Sequence, residues 1–275
     1  MSTTITVREA EHDGRLATHS RLFWTVADAL VLAKRHLVRM PRIPEEIVFA
    51  TIQPVMFVLL FRYVFGGAIA TPGMSYVDFL MPGIFVQTLV FGSTSTGIGL
   101  AQDMEKGLID RFRSLPMAQS AVLAGRIIAD LVRNLFVALV MLVVGLLVGY
   151  RPDTALFGWL GILFMMMLLS FTFSWVGAVI ALSVRSVEAA QSAGFIWLFP
   201  LTFASSAFAP TQSMPGWLQA FADHQPITLM VNAIRAISLG QPAAVDSWQA
   251  IGWCAGILLV SVPVAIRVYN RRTAR

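Results

Sequence analysis

From Ala155 to Val184 the chain runs without a single charged side chain. A run this long exceeds the roughly 20 apolar residues that carry a helix across a bilayer. In lipid only helices and closed barrels satisfy every backbone N–H and C=O. Barrel strands alternate apolar and polar residues over about ten positions. The segment VALVMLVVGLLVG (137–149) does not alternate, so the expected elements are helices. Across all 275 residues, 57% are hydrophobic and 13% charged, against roughly 25% charged in soluble domains. The expected fold is an all-α membrane protein forming a single domain, 1–275. Its six transmembrane spans are placed at about 47–66, 76–101, 121–149, 155–184, 190–209 and 248–268.

Basic residues set the expected orientation, because cytoplasmic loops are enriched in Lys and Arg. Arg8, Arg15, Arg21, Lys34, Arg35, Arg39 and Arg42 precede span one, and Lys106, Arg111 and Arg113 separate spans two and three. Arg185 separates spans four and five, and Arg267, Arg271, Arg272 and Arg275 close the chain. The opposite side has only Arg62, Arg151 and Arg235. Both termini are therefore expected in the cytoplasm, with the chain in the plasma membrane. The polar stretch 1–21 lacks the early apolar run of a signal peptide and reads as a cytoplasmic tail. The single cysteine, Cys254, lies in an apolar run and reads as a small core residue. The net charge of +5 does not imply nucleic acid, since the charges lie between spans and form no basic stripe interleaved with aromatics.

Between 22 and 40, Leu22, Val26, Ala29, Ala33, Leu37 and Met40 recur at steps of three and four. They predict an amphipathic interfacial helix with a basic opposite face, broken by Pro41 and Pro44. Residues 210–246 are too polar to cross and too apolar for a free loop. Pro215 and Pro226 suit the first turns of two short external helices, the second ended by Gly240. The alternative is an ordered external loop.

The stretch DMEKGLIDRFRSLPMAQS (103–120) is a charged island between apolar runs. On a helix Met104, Leu108, Phe112 and Leu115 share a face, and Pro116 ends it. A docking element and a solvated loop that merely obeys the charge rule both fit. FRSLP (112–116), preceded by EKGLIDR (105–111), resembles the inter-span segment of ABC-2 type permeases. So do VFGG (64–67), FLMPGI (79–84), LFPLTF (198–203), MPGWLQAF (214–221) and QPIT (225–228). Together they resemble most the permeases of daunorubicin/doxorubicin-resistance ABC exporters, over nearly the whole chain from about Val38.

The resemblance implies six spans per chain and two permease chains per transporter, identical or different, driven by a pair of cytoplasmic ABC ATPases that bind ATP and Mg. It implies a coupling surface of Glu105, Lys106, Arg111, Phe112, Arg113, Leu115 and Pro116. Arg185, Ser186 and Glu188 would form a second, smaller one. It places spans one, two and five near a central cleft, for which Phe57, Phe61, Gln87, Phe199 and Phe203 are the candidate lining residues.

No Gly-Lys pair occurs, so the P-loop that holds nucleotide phosphates is missing from this sequence. No ATP, Mg or metal site is expected in the chain, and no catalytic residue. The small residues of GSTSTGIG (92–99) suit close helix packing or a passage wall. Asp130 and Arg133 share a face of span three. Charges within spans usually pair or face water, so they read as a structural ion pair or as part of the transport path. Gln53 and Pro54 mark a kink that could open a polar passage, and Gln87 and Thr88 are similar. The expected function is an exporter permease for amphipathic drugs or lipids. One alternative is export of a cell-envelope glycolipid or polysaccharide. A more distant one is an intramembrane enzyme, against which stands the missing His-Glu pair of a zinc-protease motif.

Overall fold

The computed structural model describes residues 21–39, 44–66, 69, 71, 73–107 and 119–273. Among these the regular structure is helical, with no strand. Among the described residues nine α-helices follow one another. They are α1 (Arg21–Arg39), α2 (Pro44–Leu60), α3 (Tyr76–Glu105), α4 (Gln119–Val148), α5 (Leu156–Ser183), α6 (Val187–Phe203), α7 (Gly216–His224), α8 (Pro226–Ser238) and α9 (Ala244–Thr273). A π-helical turn, Phe61–Phe65, extends α2.

Five of these are long and apolar enough to cross a membrane: α2 with its π-turn, α3, α4, α5 and α9. The sixth expected crossing, 190–209, corresponds to α6, which begins three residues early and stops at Phe203. Its 17 residues reach about 25 Å at 1.5 Å per residue, the short end of the length that crosses a hydrocarbon core. A side chain from downstream stops it. The Gln225 amide donates to the carbonyls of Leu201 (2.9 Å) and Ala204 (2.7 Å), satisfying acceptors that a continuing helix would have used. The chain then turns through Ser205–Phe208, all buried.

The helix α3 is the axis of the bundle. Of its most apolar window 72% is buried, against 11% for α2 and 17% for α9. It packs against α5 most extensively, then α6, α4 and α8. The α3–α5 crossing depends on small residues: a Cβ on Gly97 would lie 2.7 Å from the Gly177 carbonyl oxygen, and one on Gly177 would lie 2.8 Å from that of Ser93. At the start of α3 the Ser75 hydroxyl accepts from the Asp78 amide (3.1 Å), a regular N-cap. Asp78 Oδ1 accepts from the Arg151 amide (3.1 Å), tying the α4–α5 connection to that end.

The helix α1 lies along α4, burying Ala29, Leu32 and Ala33. Of the stripe expected for it, Ala29 and Ala33 are buried, and Leu32 joins them; Leu22, Val26 and Met40 have no described side-chain environment. Leu30, Val31 and Val38 stay exposed, so α1 has a second apolar face.

The two short helices expected after span five are present as α7 and α8. On α7 Trp217 and Phe221 point outward. The helix α8 is no external loop: it is wedged against α9, α5 and α3, with Ile227, Met230, Val231 and Ile234 fully buried. Arg235, counted in sequence as a loop charge, is buried with it. Its guanidinium donates to the carbonyls of Phe79 (2.9 Å from Nη2) and Ser206 (2.8 Å) and to Asn232 Oδ1 (3.0 Å), and lies 3.8 Å from the centre of the Phe79 ring.

Candidate functional site

A cavity of about 250 Å³ opens between α2, α3, α4 and α6. Its phenylalanines are Phe49, Phe57, Phe91 and Phe195, and its polar groups include Gln53, Gln87, Thr88, Arg133 and Asn134. Pro54, inside α2, also lines it. The glycine-rich run of α3 divides its labour: Gly97 seats α5, while Gly92, Thr94 and Ser95 face the cavity.

Of the five candidate cleft residues, Phe57 and Gln87 line this cavity. Phe61, Phe199 and Phe203 do not; they belong to a file of rings that skirts it. Phe57 meets Phe61 (centroids 6.0 Å apart), Phe61 meets Phe208 (4.6 Å), Phe208 meets Phe203 (5.1 Å), and Phe203 meets Phe199 (5.6 Å). Phe199 then meets Phe91 (5.1 Å), returning the file to the cavity. Trp197 faces the other way and stacks on Phe173 (5.8 Å). Phe91 and Arg133 were not singled out as lining residues, since nothing in the local sequence shows which face of α3 or α4 meets a void.

A chain of charged groups runs from the cavity toward the C-terminal end of α3. Arg133 Nη2 donates to the Gly92 carbonyl (2.9 Å) and to the Ser95 hydroxyl, and stands 3.5 Å from Asp130 Oδ1. Asp130 Oδ2 is 3.4 Å from Arg126, and Arg126 is 2.9 Å from Asp103. Gly99 gives this guanidinium its room, because a Cβ there would fall on Arg126. The expected Asp130–Arg133 pair is thus one link of a four-member chain. Asp130 sits between two arginines, and Arg133 reaches past it to the cavity. Asn134, 3% exposed, donates to the Ser170 hydroxyl of α5 (2.8 Å).

A larger groove of about 930 Å³ lies between α5 and α9. It is a shallow, mostly apolar surface beside exposed Trp253 and Val260, with its charged groups, Asp223 and His224, off the spanning helices. The smaller cavity is the better candidate, because convergent polar groups among apolar walls mark a binding site.

The sequence pattern of ABC-2 type transporters matches residues 28–239. The chain belongs to the ABC-2 type transporter family. It is 32% identical over 240 residues to a daunorubicin resistance ABC transporter permease of Streptomyces coeruleorubidus, covering 87% of this chain and 85% of that protein. It is 29% identical over 249 residues to a protein described as a probable doxorubicin resistance ABC transporter permease of Mycobacterium tuberculosis, covering 90% and 89%. Members of the family are membrane components of transporters, so this chain is a transport component that crosses the membrane several times.

Two of the family-like motifs have structural duties in this ABC-2 chain. In FLMPGI, Gly83 touches the turn after α6: a Cβ there would lie 2.7 Å from the Ala207 Cα. In QPIT, Gln225 caps α6 and Pro226 begins α8.

Of the residues expected to grip an ATPase, the five described ones gather at one end of the bundle. Glu105 and Lys106 end α3, and both are exposed. Arg185, Ser186 and Glu188 are exposed at the α5–α6 junction. Arg272 joins the two places, donating to the Val184 carbonyl (2.6 Å) and lying 3.9 Å from Met104 Sδ. Ser186 also caps α6, its hydroxyl accepting from the Ala189 amide (3.1 Å). Arg111, Phe112, Arg113, Leu115 and Pro116 lie outside the described residues.

Proposed function

We propose that this chain is the permease subunit of an ATP-driven exporter that moves amphipathic drugs or lipids out of the cell. Two permease chains, alike or different, surround the transport path. Two cytoplasmic ABC ATPases bind ATP and Mg and grip the end marked by Glu105, Lys106, Arg185, Ser186 and Glu188, together with the 111–116 segment. The observation that carries this reading is the placing of the cavity. It lies among spanning helices, with apolar rings and polar groups on its walls, and ion pairs connect it to that end.

Orientation follows from charge. Among the described residues Lys106, Arg185, Arg271 and Arg272 belong to the Glu105 end, while the other end keeps Arg62 and Arg151 once the buried Arg235 is set aside. Short basic loops face the cytoplasm, so the Glu105 end and both termini do. The names of the two relatives support a drug as cargo, and the phenylalanine walls suit a flat or extended apolar body better than the hydroxyls of a saccharide chain.

The test is ATP-dependent accumulation of a fluorescent anthracycline in inverted membrane vesicles that contain the chain and its ATPase. The wild type should accumulate the dye. Glu105→Ala combined with Arg111→Ala should reduce accumulation to that of vesicles without ATP, with the amount of permease unchanged. Full accumulation by the double variant would contradict the coupling role.

A further inference from the structure

The cavity is rich in hydrogen-bond donors and poor in negative charge. Among its described lining residues Arg133 is the charged one, and none is Asp or Glu. Asp130 touches Arg133 from behind, is 6% exposed, and is shared with Arg126. Only Nη2 of Arg133 is committed to described partners, so Nε and Nη1 retain their donors. Gln87, 5% exposed, hydrogen-bonds to no described residue, and the buried Thr88 hydroxyl has no described partner. The neighbouring hydroxyls of Thr94 and Ser95 spend their protons on the carbonyls of Phe91 and Gly92. Unused donors therefore converge on one small, partly apolar space, and a buried donor without an acceptor is costly. An arginine fork matches the oxygens of a carboxylate or phosphate, and charge-assisted bonds gain strength away from water.

We propose that this cavity receives the anionic head of an amphiphile (a carboxylate, phenolate or phosphate ester), held by Arg133 and Gln87, with its apolar body along Phe57, Phe91 and Phe195. This names the substrate class of the exporter proposed above and rests on that reading. A cationic amine finds no carboxylate in the described lining, so an anthracycline would enter with its phenol and quinone oxygens toward Arg133 and its ammonium away from it.

The experiment uses the complex of the chain with its ATPase in lipid nanodiscs and two fluorescent probes with one tail, NBD-dodecanoate and NBD-dodecylamine. Equilibrium titration should show the carboxylate binding at least about tenfold tighter than the amine, the preference expected of a charge-assisted hydrogen bond. Arg133→Gln should abolish that preference by weakening the carboxylate alone, and Arg133→Lys should restore much of it. If Arg133→Gln does not yield intact complex, Gln87→Leu decides, and should weaken the carboxylate severalfold and leave the amine unchanged. Equal affinity of the two probes for the wild type overturns the proposal, as does carboxylate binding that ignores both substitutions. ATP-driven transport without charge preference would remove this inference and leave the exporter reading standing; absence of ATP-driven transport of either probe and of the anthracycline would remove both.

Discussion

Gly83 leaves no room for a side chain. A Cβ there meets backbone, the Cα and carbonyl carbon of Ala207 at 2.7 Å, and backbone cannot rotate aside as a side chain can. Gly83→Ala should destabilise the protein by about 1–3 kcal/mol, the usual cost of overpacking, seen as a lower thermal midpoint in detergent; an unchanged midpoint would contradict the close approach. His36, on α1, carries a pH dependence. Burial pushes its pKa below the ordinary 6.5, and the nearby Arg126 adds to this, while Asp103 and Asp130 oppose it. The undocked helix therefore takes up a proton near pH 6.5 that the docked helix resists. Stability from docking is intact above that pH and falls as pH drops below it. The protection of amides over residues 21–39, each rate taken relative to its intrinsic base-catalysed exchange at the same pH, should be weaker at pH 5.5 than at 7.5, and His36→Leu should remove most of the difference. Equal protection at the two pH values would count against the docked position of His36.

At the scale of elements, α8 is held by a cation that lacks a described acidic partner. Arg235 satisfies the carbonyls of Phe79 and Ser206, and each carbonyl left bare would cost about 1–3 kcal/mol. Arg235→Ala should lower stability by about 2–4 kcal/mol in denaturant titration, and wild-type behaviour would show that α8 is held by its apolar face alone. The same element shows where sequence stops being informative. Leu229, Ala233 and Ile237 mark one face of a helix correctly, but α8 buries residues on every side because three helices surround it, and no local period encodes that. The long spans were legible because hydropathy is a property of consecutive residues. The end of α6 was not, because Gln225, more than twenty residues downstream, caps it. Phe57 and Gln87, which line the cavity, came from the resemblance and its placing of spans one and two beside a cleft, and no local pattern marks Phe57. Phe91 was hidden, since only the position of α6 turns it toward a void, and Arg133 was legible with Asp130 as an ion pair or as part of the transport path, without a wall assigned to it.

At the scale of the molecule, α2 and α6 leave Phe49, Ile52, Met56, Ile196, Phe199 and Phe203 exposed beside the cavity, on the side where the proposed second permease chain would complete the path. The opposite requirement, an energy source, would fall to the proposed ATPase partner at the Glu105 end. Both demands meet in one assembly, and the assembly can be weighed. The decisive measurement is the native mass of the complex purified through this chain after co-expression with the proposed ABC ATPase partner. The account predicts two permease chains with two ATPases, and the mass also tells a pair of identical permeases from a mixed pair. A chain that purifies without any ATPase, under conditions in which the ATPase is expressed and folded, would contradict the account at its centre.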